Sequence, residues 1–228
     1  GRKAINPPGH AKQDWWIIQE IANRIGLNWN YSDPSDVFSE MQQMMPSLNG
    51  ITWDRLLKES AVTYPCADEN SIGESIIFAD GYPTESGRGK LVPCDILPPD
   101  EQPDTDFPLI LTTGRLLEHW HTGAMTRRAS VLDAIEPEPF VHISPTDLVK
   151  WSIEPGEKVR VATKRGTIEL SARSDIGVPD GVIFIPFCYS EAAVNFLTNP
   201  ALDPFGKIPE LKFSAASLQK VDQYVAAE

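Results

Sequence analysis

Apolar positions in the first part of the chain recur at helical spacing. Ile17, Ile21 and Ile25, joined by Ile18 and Ala22, form one stripe between Asp14, the expected N-cap, and Gly26, the expected stop. A second helix is predicted after Ser35, over residues 36–45, with Pro46 ending it. A third, shorter one follows Thr52, over residues 53–58. Trp15 and Trp16 read as core and interdomain packing. The apolar runs at 75–78 and 90–92 flank the turn-rich stretch 82–89, the pattern of an irregular hairpin or an extended loop. Residues 98–106 are acidic and rich in proline, the composition of an exposed linker.

Beyond that linker the period shortens to that of strands. Residues 107–112 and 140–143 are expected strands, the second followed by Ser144-Pro145-Thr146-Asp147. That string has a capping serine, a proline at the first helical position and an acid in the first turn, and starts a short helix reaching about Trp151. Residues 158–163 and 167–172 alternate around Lys164-Arg165-Gly166, a hairpin whose tip reads as solvated. Residues 182–187 are apolar throughout and so predict a central strand. Two late pieces, at 212–214 and 218–221, can complete a barrel. The domain division expected from this is a mainly helical part at 1–96, a linker at 97–105 and a β-barrel at 106–228, an α+β chain.

Composition narrows the function. The 228 residues carry 41% hydrophobic and 23% charged residues, ordinary for a folded soluble protein, and no window reaches the length a membrane helix needs. A formal charge of −12 argues against nucleic-acid binding, which neutralises phosphates with Lys and Arg. Cys66, Cys94 and Cys188 lie far apart with no CxxC pair. That spacing excludes a self-contained zinc or iron–sulfur motif, and reduced thiols in the cytoplasm are the favoured reading. The start, Gly1-Arg2-Lys3-Ala4, lacks both an initiating Met and an apolar signal core, and is read as a chain entered partway through.

The densest chemistry lies in residues 112–128, after the apolar run Leu109-Ile110-Leu111. There Gly114-Arg115-Leu116-Leu117-Glu118-His119-Trp120-His121-Thr122-Gly123-Ala124-Met125-Thr126-Arg127-Arg128 packs a Gly-Arg step, two histidines around a tryptophan, a second glycine and an Arg pair into one segment. Arg supplies a planar fork of donors for phosphates or ring carbonyls. Gly114 and Gly123 allow close backbone approach to a ligand. His119 and His121 can donate to ring atoms or phosphates, with Trp120 pointing into the core if the alternation of a strand continues. Such a set suits a large, polar, anionic heterocycle.

This string resembles the cofactor loop of the molybdenum/tungsten bis-molybdopterin guanine dinucleotide oxidoreductases, the dimethyl sulfoxide reductase superfamily. Within it the chain is most similar to the C-terminal part of the formate dehydrogenase alpha subunit. The resemblance covers nearly the whole chain, with the 14–26 helix, Gly87-Arg88-Gly89-Lys90-Leu91, Asn195 and Pro209-Glu210-Leu211-Lys212 in the expected order. It implies a six-stranded, double-psi-like pterin-dinucleotide-binding barrel from about Asp106 onward, with the mainly helical residues before it as the tail of a larger α/β region. It further implies cofactor contacts at Gly114, Arg115, Leu116, His119, His121, Thr122, Phe187, Asn195 and Lys212. Phe187 and Leu211 stand where some relatives carry Tyr, so any hydroxyl contact there is lost. The metal-ligating Cys or selenocysteine, the active-site acid/base and the iron–sulfur clusters lie upstream in that family, so the chain alone is expected to be inactive. The implied partners are the rest of the alpha subunit, electron-transfer subunits and formate, in the cytoplasm with the periplasm as the alternative.

Rival readings follow from the same residues. Periplasmic nitrate reductases carry a nearly identical string, and a non-enzymatic barrel used for assembly is a further alternative. His119-x-His121 has strand spacing for zinc, but only four histidines occur and no cysteine cluster joins them. Arg127-Arg128 is equally well read as a helix-end charge pair, and Lys212 as a solvent-exposed lysine. Gly87-Arg88-Gly89-Lys90 lacks the helix and the Ser/Thr of a phosphate loop. Neither Ser130 nor Ser144 has a His-and-acid pattern for nucleophilic catalysis.

Overall fold

The alternating segments of the second half close into a barrel. The structure, a computed structural model, describes residues 3–221. Its strands are β1 (Leu109–Gly114), β2 (Phe140–Ile143), β3 (Lys158–Thr163), β4 (Gly166–Ser174), β5 (Val182–Pro186) and β6 (Ser214–Lys220). They are joined in the closed order β1-β5-β2-β4-β3-β6. The β1–β5 and β2–β4 pairs are parallel and the other four antiparallel. The two late pieces expected at the end of the chain are a single strand, β6.

Inward positions are aliphatic. Leu109, Leu111, Val141, Ile143, Val159, Val161, Leu170, Ile183, Ile185 and Leu218 are buried in one cluster, each contributing about 1.5–3 kcal/mol through removal from water. Closure leaves no free sheet edge. β5 lies between β1 and β2, as its unbroken apolar run predicts, and the outward Phe184 ring meets His142 edge-on at 5.4 Å.

Pairing register sorts the connections into two ends. Gly114 lies beside Pro186, Leu111 beside Ser214 and Thr163 beside Gly166. The connections 115–139, 164–165 and 187–213 therefore leave from one end, the rim. The base holds the helix α5 (Pro145–Lys150), in which Ser144 Oγ accepts from the Asp147 N–H at 3.1 Å, the cap read from its sequence. Helix α4 (Ser130–Ile135) lies within the long rim connection.

The acidic 97–105 segment does not run free as a linker. The structure divides at Pro93, before it, and its residues belong with the barrel. Asp104 pairs with Lys164 at 3.3 Å, and Glu101 is buried against Arg165 at 2.8 Å. That contact is one of charge, since neither Glu101 oxygen has an aligned donor. Arg165 Nε also donates to the Leu197 carbonyl at 3.0 Å. The hairpin tip expected in solvent is thus a junction of three segments.

The first unit, up to Pro93, contains helices α1 (Asp14–Arg24), α2 (Pro34–Met44) and α3 (Trp53–Glu59). Gln13, not Asp14, occupies the cap position of α1, and Asp14 sits in the first turn where it favours the helix dipole. Asp33 caps α2 through the Ser35 N–H, which starts the helix at Pro34, ahead of the expected residue 36. Thr52 caps α3, as read from the sequence. The core of this unit is Leu48, Ile51 and Cys66 with Phe38, Leu56 and Val62, and excludes both tryptophans placed there by sequence. The Ile17, Ile21 and Ile25 stripe is exposed, while Gln19 and Ala22 are the buried residues of α1. Gln19 faces inward because its amide exchanges hydrogen bonds with the Tyr31 backbone. Residues 75–92 contain no strand. A local turn closed by the Tyr82 N–H on the Gly87 carbonyl at 3.0 Å stands where a hairpin or extended loop was expected.

Candidate functional site at the barrel rim

Three chain segments meet where parallel β1 and β5 end. Arg115 follows β1, Phe187 follows β5 and donates its N–H to the Gly114 carbonyl at 3.2 Å, and Lys212 precedes β6. The Arg115 guanidinium lies 5.6 Å from the Phe187 ring centre and the Lys212 ammonium 6.0 Å from it. The His121 ring meets the same ring edge-on at 5.4 Å. Lys212 Nζ donates to the Thr113 carbonyl, and Thr113 Oγ1 donates to the Leu211 carbonyl at 3.0 Å. A half-buried aromatic thus carries an arginine, a lysine and an imidazole.

The charge state of the rim is distinctive. Arg127, Arg160, Arg165 and Arg173 of the barrel each pair with a carboxylate, while Arg115 and Lys212 pair with none among the described residues. In a chain of net charge −12, cations left without carboxylates leave donors available to an external anion.

Other expected residues behave differently. His119, expected at a ligand edge, is 1% exposed. Its Nε2–H donates to the Glu136 carbonyl at 2.8 Å, and its ring meets Tyr189 edge-on at 5.7 Å. Nδ1 of His119 has no partner, the one buried histidine nitrogen so placed among the described residues. Trp120, expected in the core, is 68% exposed. The alternation that would have buried it stops at Gly114. Trp120 N–H instead donates to Thr126 Oγ1 at 2.9 Å, and the chain turns through His121 and Gly123, both at positive φ.

Internal packing by itself requires glycine at both positions. A Cβ at Gly114 would lie 2.4 Å from the Phe184 ring, and one at Gly123 would lie 2.6 Å from the Cys188 carbonyl. Leu116 is half-buried and Thr122 exposed. Asn195 is exposed in a short 3-10 turn, Val194–Phe196, at the same rim, and no contact joins it to the Phe187 group.

Sequence reasoning missed the pins that hold these loops. Arg127 pairs with Asp133 at 2.6 Å and Glu191 at 2.9 Å and lies over the Tyr189 ring at 4.7 Å, so that, besides standing with Arg128 at the end of the 3-10 turn Thr126–Arg128, it ties the two long rim connections together. The Glu136 carbonyl accepts from both His119 and Tyr189, and its carboxylate meets both terminal nitrogens of Arg173 at 3.1 and 2.9 Å. Burial pushes the Tyr189 hydroxyl and the Cys188 thiol well up, so both stay neutral. The Arg127-Arg128 pair signalled only charge, and nothing local to Glu136 marks it as a hub.

The donor set fits an anionic pterin nucleotide. A guanidinium and an ammonium without carboxylates answer its phosphates, and flat rings at the rim suit a flat heterocycle.

Comparison with known proteins agrees. Residues 109–215 match the family model described as "Molydopterin dinucleotide binding domain". The chain is 44% identical over 222 residues to the F420-dependent formate dehydrogenase subunit alpha of Methanocaldococcus jannaschii, covering 96% of this chain and 33% of that protein. It is 32% identical to the periplasmic nitrate reductase of Desulfovibrio desulfuricans, covering 96% of this chain and 32% of that one. Among solved structures, the acetylene hydratase of Pelobacter acetylenicus shares the fold, with TM-score 0.62, 20% identity, and coverage of 96% of this chain and 34% of that one. The chain spans about a third of the length of the curated relatives it matches.

Proposed function

We propose that the chain belongs, through its barrel, to the molybdopterin dinucleotide-binding family and that its rim holds the pterin dinucleotide of a formate-oxidising enzyme. The observation that carries the reading is the Phe187 group, where Arg115, Lys212 and His121 gather without a carboxylate in an acidic chain. The cofactor in this reading is bis-molybdopterin guanine dinucleotide. When bound it supplies two-electron chemistry at molybdenum or tungsten, and the protein contributes position and electrostatics.

Each residue then has a limited task. Arg115 offers its fork to phosphate or pterin carbonyl, and Lys212 adds a point charge oriented by its bond to Thr113. Phe187 and His121 supply a flat wall, and Leu116 and Thr122 border it. Asn195 presents an amide able to read a pterin or guanine edge. His119 holds the loop from beneath through Glu136. The metal ligand, the active-site acid/base, the iron–sulfur clusters and the docking sites of electron-transfer subunits belong to the remaining two thirds of such an enzyme. The greater identity to a formate dehydrogenase than to a nitrate reductase supports formate, with carbon dioxide as product, over nitrate. No helix among the described residues is long and apolar enough to cross a membrane, and three free cysteines support a reducing, cytoplasmic setting.

The test uses the full-length enzyme. Arg115→Ala is expected to release cofactor about 10- to 100-fold faster, the loss of a charge-assisted hydrogen bond worth about 1.5–3 kcal/mol. The readout is metal and released guanine nucleotide per protein, with His121→Ala in parallel. Wild-type retention in both variants would refute the site. A barrel used only for assembly predicts no metal and no guanine in the wild-type protein.

A further inference from the structure

Lys212 has no ion pair among the described residues, yet hydrogen bonds hold its neighbours Glu210, Leu211 and Ser214 on both sides. We infer that Asn199 and Glu210 are positioning residues whose hydrogen bond holds the turn that presents Lys212 to the cofactor, an inference that rests on the rim reading above.

Asn199 is 6% exposed although fully polar. Every group it has is used. Its Nδ2 donates to Glu210 Oε2 at 2.6 Å, its Oδ1 accepts from the Ala201 N–H at 2.9 Å, and its own N–H donates to Ser214 Oγ at 2.9 Å. Glu210 returns to the same strand through its N–H on the Ala201 carbonyl at 3.0 Å, next to the Leu202–Pro209 bridge. The Asp100 N–H reaches both Glu210 oxygens at 3.3 Å. Lys212 thus sits between two anchors tied to one buried residue, Glu210 before it through the Asn199 side-chain amide and Ser214 after it through the Asn199 backbone N–H. Thr113 accepts the ammonium and grips the Leu211 carbonyl from β1. A lysine side chain is flexible and loses much rotamer freedom when ordered. Holding its backbone in advance removes part of that loss from the binding step.

The groups that meet the pair are the Asp100, Ala201 and Ser214 partners of the hydrogen bonds above, and among the described residues none of them sets a second charged side chain on Glu210. Asn199→Asp therefore sets two carboxylates against each other at the place of one hydrogen bond. Two carboxylates sharing a site cannot both ionise cheaply, so the pair holds a proton at low pH and repels at high pH. Asn199→Asp/Glu210→Gln restores the bond with donor and acceptor exchanged.

The experiment follows release of guanine nucleotide and pterin from the full-length holoenzyme at pH 5 and pH 8, beside the melting temperature. Lys212→Ala is expected to release cofactor about ten-fold faster at both pH values, the scale of one charge-assisted bond. Asn199→Asp should match wild type at pH 5 and approach Lys212→Ala at pH 8, and the exchanged double variant should match wild type at both. Wild-type release from Lys212→Ala would remove Lys212 from the cofactor site. Fast release from Lys212→Ala with wild-type behaviour of Asn199→Asp at pH 8 would overturn the positioning role alone. If Asn199→Asp does not accumulate, the double variant decides, since release as fast as Lys212→Ala also overturns it.

Discussion

The two ends of the barrel are built by different rules. At the base, with the buried Trp151 Nε1 as the exception, polar groups find partners within a few short connections. Ser144 Oγ donates to Asp180 at 2.6 Å, the Asp147 carboxylate accepts from the Gly181 N–H at 2.6 Å, His142 Nδ1 meets Asp175 at 2.9 Å, and Lys220 pairs with Glu157 at 2.7 Å. At the rim the long connections 115–139 and 187–213 leave Arg115 and Lys212 without carboxylates and expose large apolar side chains. Leu117, Trp120, Met125, Phe196 and Phe205 lie open there, the last 93% exposed, while at the base Val149 and Ile176 are the large apolar residues in solvent among the described residues. A surface that satisfies itself is a surface at rest, whereas spare donors beside open apolar area mark one that meets something else.

The largest expected effect falls on the tie between the rim connections. Arg127→Ala leaves Asp133 and Glu191 without their cation and uncovers Tyr189, at a cost of about 1–3 kcal/mol. In the full-length enzyme the melting temperature should fall, limited proteolysis should cut first within 115–139, and cofactor should leave faster. Unchanged proteolysis would mean that the rim connections are held elsewhere. Ser144→Ala, at the base, removes a helix cap and the Asp180 bond and should cost about 0.5–2 kcal/mol in stability. Its cofactor release should equal wild type. Faster release would break the division of labour between the ends.

The smallest effect is one of pH at the base. The Gly177 N–H, and then the His142 ring, hold the Asp175 carboxyl below the usual carboxylate range. A carboxyl lowered by folding stabilises above its ordinary value, about 4, and loses that contribution as pH falls through the lowered one. The melting temperature of Asp175→Asn should therefore decline less steeply below pH of about 4 than that of wild type, with equal retention of cofactor at neutral pH. Parallel acid curves would show that Asp175 gains nothing from its partners.

Legibility differed between these parts for physical reasons. The Ser144 cap, the 158–172 hairpin and the apolar 182–187 run are local patterns, and each formed as read. Trp120 was misread because the strand period was continued past Gly114, where the ladder ends and the chain turns. The α1 stripe is legible as a helical pattern, but which residues are buried is not: Ala22 of the stripe is buried, its isoleucines are exposed, and Gln19 is buried through its hydrogen bonds to Tyr31. Gly114 and Gly123 were legible as special positions, but not that Phe184 and Cys188 fill the space beside them.

Sequence by itself determined the three helices of the first unit, the first five strands with the capped helix after the second, and the concentration of donors in 112–128, because periodicity, capping and turn chemistry act over a few residues. Only the tertiary structure decided that Arg115, Phe187 and Lys212 share one place, that His119 turns inward while His121 faces the ring, and that Asn199 stands behind Lys212. Those outcomes depend on which strands pair when the barrel closes, and that pairing brings Lys212 to Thr113 across 99 positions of chain, a distance over which no local pattern acts.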